Sequence, residues 1–450
     1  MSTIKLRRGT TAQWTAANPV LAAGEAGVAT DSNRFKIGDG TARWAELPYF
    51  VNVSEVSDLV ESALALEGGG VDGLLAQRVA QAFPAIATDL PEVNVAGPGG
   101  PSPLGTGVGY AFDDVTAIRR VGCVGETVTA AGASFVQNQV STETGLRARP
   151  WAVEFTTDAE DMAIAFRAAS DTPRLWVWVD GRPMSRGPRT FSTGVAEDNR
   201  SWLRLTFPDA RRRTIRVYLA RADYGGLSVA AGRTAVATKA VEPLKVALVG
   251  DSWFTDNGSV VWPYDTGAPL GFLLGAETFL CGIGLTGYVA AGFSTPYGSP
   301  ARMAMLARTG ADLVVVNGST NDTGRSASAV TSAARDLYAA IADRLPAARV
   351  VVVGPQPVPA GYATSSQVLA NRDAVKSAAL AAPNVLGFVD PVARQWLTGS
   401  GRIDAPAGDG NRDYYVDSSA LHLGRSGGQY YAQRILRELV RLGERDDVFY

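Results

Sequence analysis

The sequence predicts a multidomain protein that ends in a three-layer α/β domain built on a parallel sheet. Its 450 residues exceed the roughly 250–300 at which a single hydrophobic core stops growing, so more than one domain is required. From residue 244 onward, continuous apolar runs alternate with helical patterns, the signature of parallel strands covered by helices on both faces. Ahead of that point, residues 108–240 carry only short runs with period-two alternation, the pattern of a β-sandwich.

The first region, residues 1–50, is rich in Gly, Thr and aromatics. It has a strand-like run at Ile4-Lys5-Leu6-Arg7 and turn signals at Ser32-Asn33 and Asp39-Gly40. So few apolar residues make a poor core for a free-standing unit, and self-association would help it. Residues 51–107 read as a helical and Gly/Pro-rich linker. Val56, Leu59, Val60, Ala63 and Leu64 fall at helical spacing, Gly68-Gly69-Gly70 interrupts, and Leu75, Val79, Ala82 and Phe83 resume it. The run AGPGGPSPLGTG at 96–107 closes the linker.

In residues 108–240 the alternating sets are Val153/Phe155, Ile164/Phe166, Leu175/Val177/Val179, Leu203/Leu205 and Ile215/Val217/Leu219, with a hairpin turn at Asp180-Gly181. Trp176 and Trp178 lie on the opposite face of their strand from the valines. That face either stacks on sugars or is covered by a neighbouring sheet or domain. In residues 241–450 strands are expected at Leu244–Val249, Thr278–Cys281, Leu313–Val316, Val350–Val353 and Leu386–Val389. Helices are expected at about 326–345, 366–381 and 427–442, with Pro346 stopping the first.

Charge and cysteine usage narrow the partners. Forty-two basic and 44 acidic residues give a net charge of -2, with no basic surplus to draw nucleic acid or an anionic membrane. No stretch reaches the ~18 apolar residues of a membrane span, so no membrane insertion is expected. The opening MSTIKLRRGT lacks the apolar segment of a secretory signal. Cys123 and Cys281 are far apart and read as buried thiols, and no Cys/His cluster has zinc spacing.

Four segments of the α/β region carry residues suited to acyl chemistry. Gly250-Asp251-Ser252 follows the first apolar strand, at the sheet edge where ligands bind in open α/β folds. A serine there can use its own backbone N–H on an oxyanion, although a turn capping the next helix would look the same. Cys281-Gly282-Ile283-Gly284-Leu285-Thr286-Gly287-Tyr288 follows the second strand, and its glycines let backbone N–H groups approach a substrate oxygen. Asn317-Gly318-Ser319-Thr320-Asn321-Asp322 follows the third strand and offers a side-chain amide donor, or a cap for the following helix. Asp322 suits a supporting role better than that of a catalytic acid. Asp417-Ser418-Ser419-Ala420-Leu421-His422 precedes the last helix and holds the only histidine in the chain. A serine hydroxyl needs a base, and a neutral imidazole serves near pH 7.

In this order and at these strand ends, the four segments resemble the SGNH (GDSL-like) hydrolase family over roughly residues 244–445. The resemblance implies a flavodoxin-like three-layer domain and serine esterase chemistry with no metal or organic cofactor. It assigns Ser252 as nucleophile, His422 as base and Asn321 as an oxyanion donor with the N–H groups of Ser252 and Gly284. Two positions depart from the family pattern. Its acid stands three residues before the histidine, where this chain has Ser419. The nearest acid is Asp417, five before. Either a longer loop brings Asp417 round to complete a triad, or a Ser-His dyad works with a backbone carbonyl. The second-block glycine is Gly284, with Leu285 as the alternative alignment, and Ser319 replaces a glycine common in the third block.

The N-terminal segment has its own resemblance. Ile4 to Thr10, Trp14, Asn18-Pro19, Gly24-Glu25, Gly27, Lys36 to Gly40, Trp44 and Leu47-Pro48-Tyr49 resemble the N-terminal domain of phage tail fibres and of the phage major tropism determinant. That resemblance implies a small trimerising β-prism attached to the virion. The combined expectation is a homotrimeric tail-fibre esterase in the virion tail. It would contact other tail proteins through residues 1–50 and deacetylate a host surface glycan. Alternatives are a glycan-binding receptor protein with an inactive hydrolase domain, a lipid esterase, and a structural baseplate part.

Overall fold

The computed structural model describes residues 7–31, 34–47, 86–97, 99–138, 150–168, 173–185, 187–190, 199–239, 244–255, 262–263, 265–292, 295–356 and 365–443. The helices expected within 53–66 and 75–83, and the turn at Ser32-Asn33, lie outside these residues. The chain divides into two compact units, Met1–Ala80 and Gln81–Tyr450.

The first unit contains a three-stranded sheet of Arg7–Gly9, Ala26–Ala29 and Arg34–Ile37. The first pair runs parallel and the second antiparallel. Thr10 and Gln13 form a reciprocal capping box at the start of the helix Thr11–Ala17, so two otherwise unpaired N–H groups are satisfied. Trp14 stacks on Trp44 with centroids 4.1 Å apart. Gly27 lies beneath the pair, where a Cβ would come within 2.7 Å of the Trp44 ring. Among the described residues the buried apolar cluster comprises Trp14, Leu21, Ala29, Trp44 and Leu47.

In the second unit the β-rich region contains two seven-stranded sheets with antiparallel pairing. Both feed one apolar core. Ile164, Phe166, Leu203 and Leu205 enter it from one sheet, and Val153, Phe155, Val177, Ile215, Val217 and Leu219 from the other. These are the alternating sets read from the sequence, because period-two spacing puts them on one face. Asp180 and Gly181 both adopt positive φ in the two-residue turn between Trp178-Val179 and Arg182-Pro183, as a type I′ hairpin requires. The linker expected to run to residue 107 is shorter. Glu92–Ala96 is a strand paired with Arg200–Thr206. Val93 and Val95 pack on the core, and this alternation outweighs the adjacent Pro and Gly residues.

The C-terminal region is a five-stranded parallel sheet. Its strands are β1 (Lys245–Gly250), β2 (Glu277–Gly282), β3 (Leu313–Asn317), β4 (Arg349–Val353) and β5 (Val385–Val389), in the order β2-β1-β3-β4-β5. Its helices are α1 (Gly267–Leu274), α2 (Pro300–Thr309), α3 (Ala327–Arg344), α4 (Ser366–Ala381), the short α5 (Arg412–Tyr415) and α6 (Arg425–Gly443). Helices α3 and α4 pack together, as do α1 and α6. The strand order reverses beside β1, so a crevice opens at the C-terminal ends of β1 and its neighbours.

Trp176 and Trp178 are covered, at 1% and 7% exposure. Trp178 stacks on Phe272 of α1 at 5.6 Å, and Trp176 meets Trp262 edge-on at 5.8 Å. This face of the β-rich region therefore packs against the α/β domain and is closed to sugars. Arg119 pairs with Glu277 at 3.0 Å and Arg308 with Glu126 at 2.8 Å across the same boundary. Cys123 and Cys281 lie one in each region and form no disulfide with each other. Burial pushes the Cys123 thiol up to about 12.

Candidate active site

Strand β1 ends at Gly250, and Asp251 caps the single 3₁₀ turn that follows by accepting from the Trp253 N–H at 3.0 Å. This turn holds Ser252, half-buried, at the C-terminal edge of the sheet. The loop before α6 brings His422 to it. His422 Nε2 lies 2.9 Å from Ser252 Oγ. A backbone bond from Asp417 N to His422 O, 3.0 Å, and the bridge between Val416 and Leu423 fold that loop. Burial lowers the His422 pKa, and the Asp417 charge opposes the shift.

The Asp417 carboxylate makes no direct bond to the His422 ring. Its Oδ1 accepts from the Ser419 hydroxyl at 2.5 Å and from the Ser419 N–H at 3.0 Å. Ser419 Oγ in turn lies 3.4 Å from His422 Nδ1. The loop turns so that a hydroxyl stands between acid and imidazole. Ala420, at φ 59, provides the left-handed residue of that turn.

The other two segments converge on the same place. The Gly284 Cα lies beside Ser252, and a Cβ added there would sit 3.9 Å from the Ser252 Cβ. Leu285 follows with φ 61 and is 47% exposed. Asn321 Nδ2 donates to Thr286 O at 2.9 Å and to Asp251 Oδ2 at 3.3 Å. Asp322 is buried, and its carboxylate accepts the backbone N–H groups of Tyr288, Val289 and Ala290 at 2.8, 3.0 and 2.8 Å. It thereby fastens the second loop to the third, the supporting role expected of it. Gly287 makes room for this contact: a Cβ there would stand 2.6 Å from both Asp322 oxygens.

Sequence reasoning missed three groups. Asp251 is fully buried and receives Gln356 Nε2 at 3.2 Å on each oxygen. Burial raises its pKa to about 7. Gln356 also accepts from the Thr320 N–H at 3.3 Å. Arg302 of α2 is 1% exposed and donates to Gly250 O at 3.2 Å, Cys281 O at 3.0 Å and Thr286 Oγ1 at 3.0 Å. It ties the ends of β1 and β2 together, while burial lowers its pKa to about 10. Among the described residues no group of three or more His, Cys, Asp or Glu is placed to hold a metal ion. No described helix is long and apolar enough to cross a membrane.

Residues 248–430 match the GDSL-like Lipase/Acylhydrolase family. The GDSL-like domain thus contains all four segments, and residues 4–42 match the Major tropism determinant N-terminal domain. No curated protein matches the chain. Among solved structures, a family two carbohydrate esterase from Cellvibrio japonicus is similar at TM-score 0.54 and 11% identity, over 78% of this chain and 98% of that one. The salicylyl-acyltransferase SsfX3 from a tetracycline biosynthetic pathway gives 0.53 and 16%, over 75% and 99%. An acetyl xylan esterase from the rumen bacterium Butyrivibrio proteoclasticus gives 0.52 and 12%, over 75% and 99%. At these identities the likeness is one of fold. Its extent, more than residues 241–450 alone could supply, takes in the β-rich region ahead of the GDSL-like domain.

Proposed function

We propose that this chain is a phage tail-fibre or receptor-binding protein with serine esterase activity, which deacetylates a host cell-surface polysaccharide. The observation that carries the catalytic part is the 2.9 Å contact between Ser252 Oγ and His422 Nε2. A hydroxyl and an imidazole from opposite ends of the domain meet at the sheet edge where ligands bind. His422 takes the Ser252 proton as Oγ bonds to the ester carbonyl carbon. The N–H groups of Ser252 and Gly284 and the Asn321 amide receive the oxyanion. Asn321 enters this role by yielding the hydrogen on its longer bond, the 3.3 Å one to Asp251. The alcohol leaves with the proton from His422, and water, deprotonated by His422, frees acetate from Ser252.

The substrate class rests on fold-level analogy to the carbohydrate esterases of similar architecture. The phage setting rests on the match of residues 4–42. In this reading residues 1–50 form a trimerising β-prism that joins the fibre to other tail proteins, and residues 108–240 form a β-sandwich beside the esterase. A second reading, a glycan-binding protein with an inactive hydrolase domain, draws on the Asp417 carboxylate bonding Ser419 rather than the His422 ring.

The test is hydrolysis of p-nitrophenyl acetate, longer p-nitrophenyl esters and acetylated xylan by the protein beside Ser252→Ala and His422→Ala. Turnover of acetate that both variants abolish supports the esterase. Preference for long chains would redirect it to lipid esters. Wild-type rates no higher than the variants' on every ester would leave the glycan-binding reading.

A further inference from the structure

We propose that Ser419 is a positioning residue: it couples the Asp417 carboxylate to His422 and holds the imidazole with its proton on Nδ1. This inference rests on the reading of Ser252 and His422 as nucleophile and base, and it concerns how the base is kept in its working form.

The argument is a count of protons and lone pairs. A serine hydroxyl has one hydrogen to give and two lone pairs to receive with. Ser419 Oγ lies 2.5 Å from Asp417 Oδ1, 3.2 Å from the Leu421 backbone N–H and 3.4 Å from His422 Nδ1. Leu421 N can only donate, which occupies one lone pair. Asp417 Oδ1 is the nearer and stronger acceptor, so it takes the hydroxyl hydrogen. One lone pair remains, and it faces His422. Nδ1 must therefore carry the imidazole hydrogen, and Nε2 presents its lone pair to the Ser252 hydroxyl 2.9 Å away. The opposite arrangement, with Ser419 donating to Nδ1, would set two oxygen lone pairs against each other at 2.5 Å.

The environment of Asp417 fits this role. The residue is 8% exposed, and its Oδ2 is buried without a hydrogen-bond partner among the described residues. A carboxylate so little solvated keeps its field for a nearby cation. When Nε2 takes the Ser252 proton, both imidazole nitrogens bear hydrogen. The positive charge then faces Asp417 through one polarised hydroxyl. No proton travels along the chain: Ser419 keeps its own, and Nδ1 keeps its own. The 3.4 Å separation suits the uncharged imidazole, and such bonds tighten as charge develops.

Because His422 is the only histidine, the protein labelled with ¹⁵N-histidine has one pair of ring signals. At mildly alkaline pH, where imidazole is neutral, the wild type is expected to show a protonated Nδ1 and an unprotonated Nε2. Ser419→Ala and Asp417→Asn are expected to lose that preference, and Ser419→Thr, which keeps the hydroxyl, to retain it. On p-nitrophenyl acetate, Ser419→Ala, Asp417→Asn and the double variant should all lose kcat by a similar factor, roughly 10- to 100-fold, with KM little changed. Persistence of the protonated Nδ1 in Ser419→Ala would overturn the inference, as would losses that multiply in the double variant. The spectrum needs no turnover, so an inactive wild type would sink the esterase reading while the tautomer still decides the role of Ser419.

Discussion

Ser252 and His422 are separated by 170 positions in the chain and by 2.9 Å between Oγ and Nε2. The contact depends on two short, internally bonded turns rather than on long packed elements. Removing either side chain should therefore cost activity far more than stability. Ser252→Ala and His422→Ala should each lower kcat on p-nitrophenyl acetate by about 10⁴-fold or more. Both groups are half-buried, so the denaturation midpoint should move by less than about 1 kcal/mol equivalent. Retention of measurable burst release of p-nitrophenol by Ser252→Ala would exclude it as nucleophile.

Arg302 supports this edge from beneath. Its guanidinium satisfies the carbonyls of Gly250 and Cys281 and lies 4.9 Å from the Tyr297 ring. Arg302→Met would fill the volume but lose the guanidinium's hydrogen bonds to Gly250, Cys281 and Thr286, each worth about 1 kcal/mol. The Gly250 carbonyl keeps its bond from the Ile283 N–H at 3.0 Å. Urea unfolding should show a loss on the order of 3 kcal/mol. Arg302→Lys should recover little of it, since an ammonium cannot reproduce the planar fork.

Much of this architecture was legible in the sequence, for reasons that particular residues make plain. The five parallel strands read correctly because buried parallel strands are continuously apolar, as in Leu313 to Val316. The segments of Ser252, Gly284, Asn321 and His422 stood out as strand ends, turns and the one histidine, but it was the resemblance to the SGNH hydrolases that grouped them into one site. Helix α1 escaped notice because Gly267 to Leu274 are apolar on nearly every side and show no period. Arg302 was illegible for another reason: an arginine near the start of a helix looks solvated, and its partners are carbonyls of distant strands. The role of Asp322 was read more coarsely than its geometry allows, since nothing local shows that three N–H groups of another loop converge on it. The relation of Ser419 to Asp417 and His422 depends on how a six-residue loop turns, which spacing alone leaves open.

Gly287 and Asp322 make a tight contact that substitution would break. A Cβ at Gly287 would lie 2.6 Å from both carboxylate oxygens. Either the carboxylate gives up its bonds to Tyr288, Val289 and Ala290, or the loop moves. Gly287→Ala should destabilise by about 1–3 kcal/mol. It should also lower kcat more than tenfold, because the same loop carries Gly284 and the Thr286 carbonyl that holds Asn321. Kinetics alongside thermal unfolding would check both; an unchanged kcat would mean that the loop does not position the oxyanion donors.

Asp251 predicts a pH dependence of stability. Burial raises its pKa from 3.8 to about 7 in the folded protein. The folded state therefore binds a proton that the unfolded chain releases at lower pH. The sign follows directly: this stabilising contribution is complete below about pH 4 and is lost progressively as pH rises to about 7. At higher pH the folded state retains a charged, desolvated carboxylate held by Gln356 and Asn321. Asp251→Asn has no such titration, so its stability relative to wild type should improve steadily between pH 4 and 7 and then level off. Urea denaturation of both proteins across that range measures the difference. Parallel curves would show that Asp251 titrates in the fold as it does in the unfolded chain, and that Gln356 and Asn321 compensate fully for its burial.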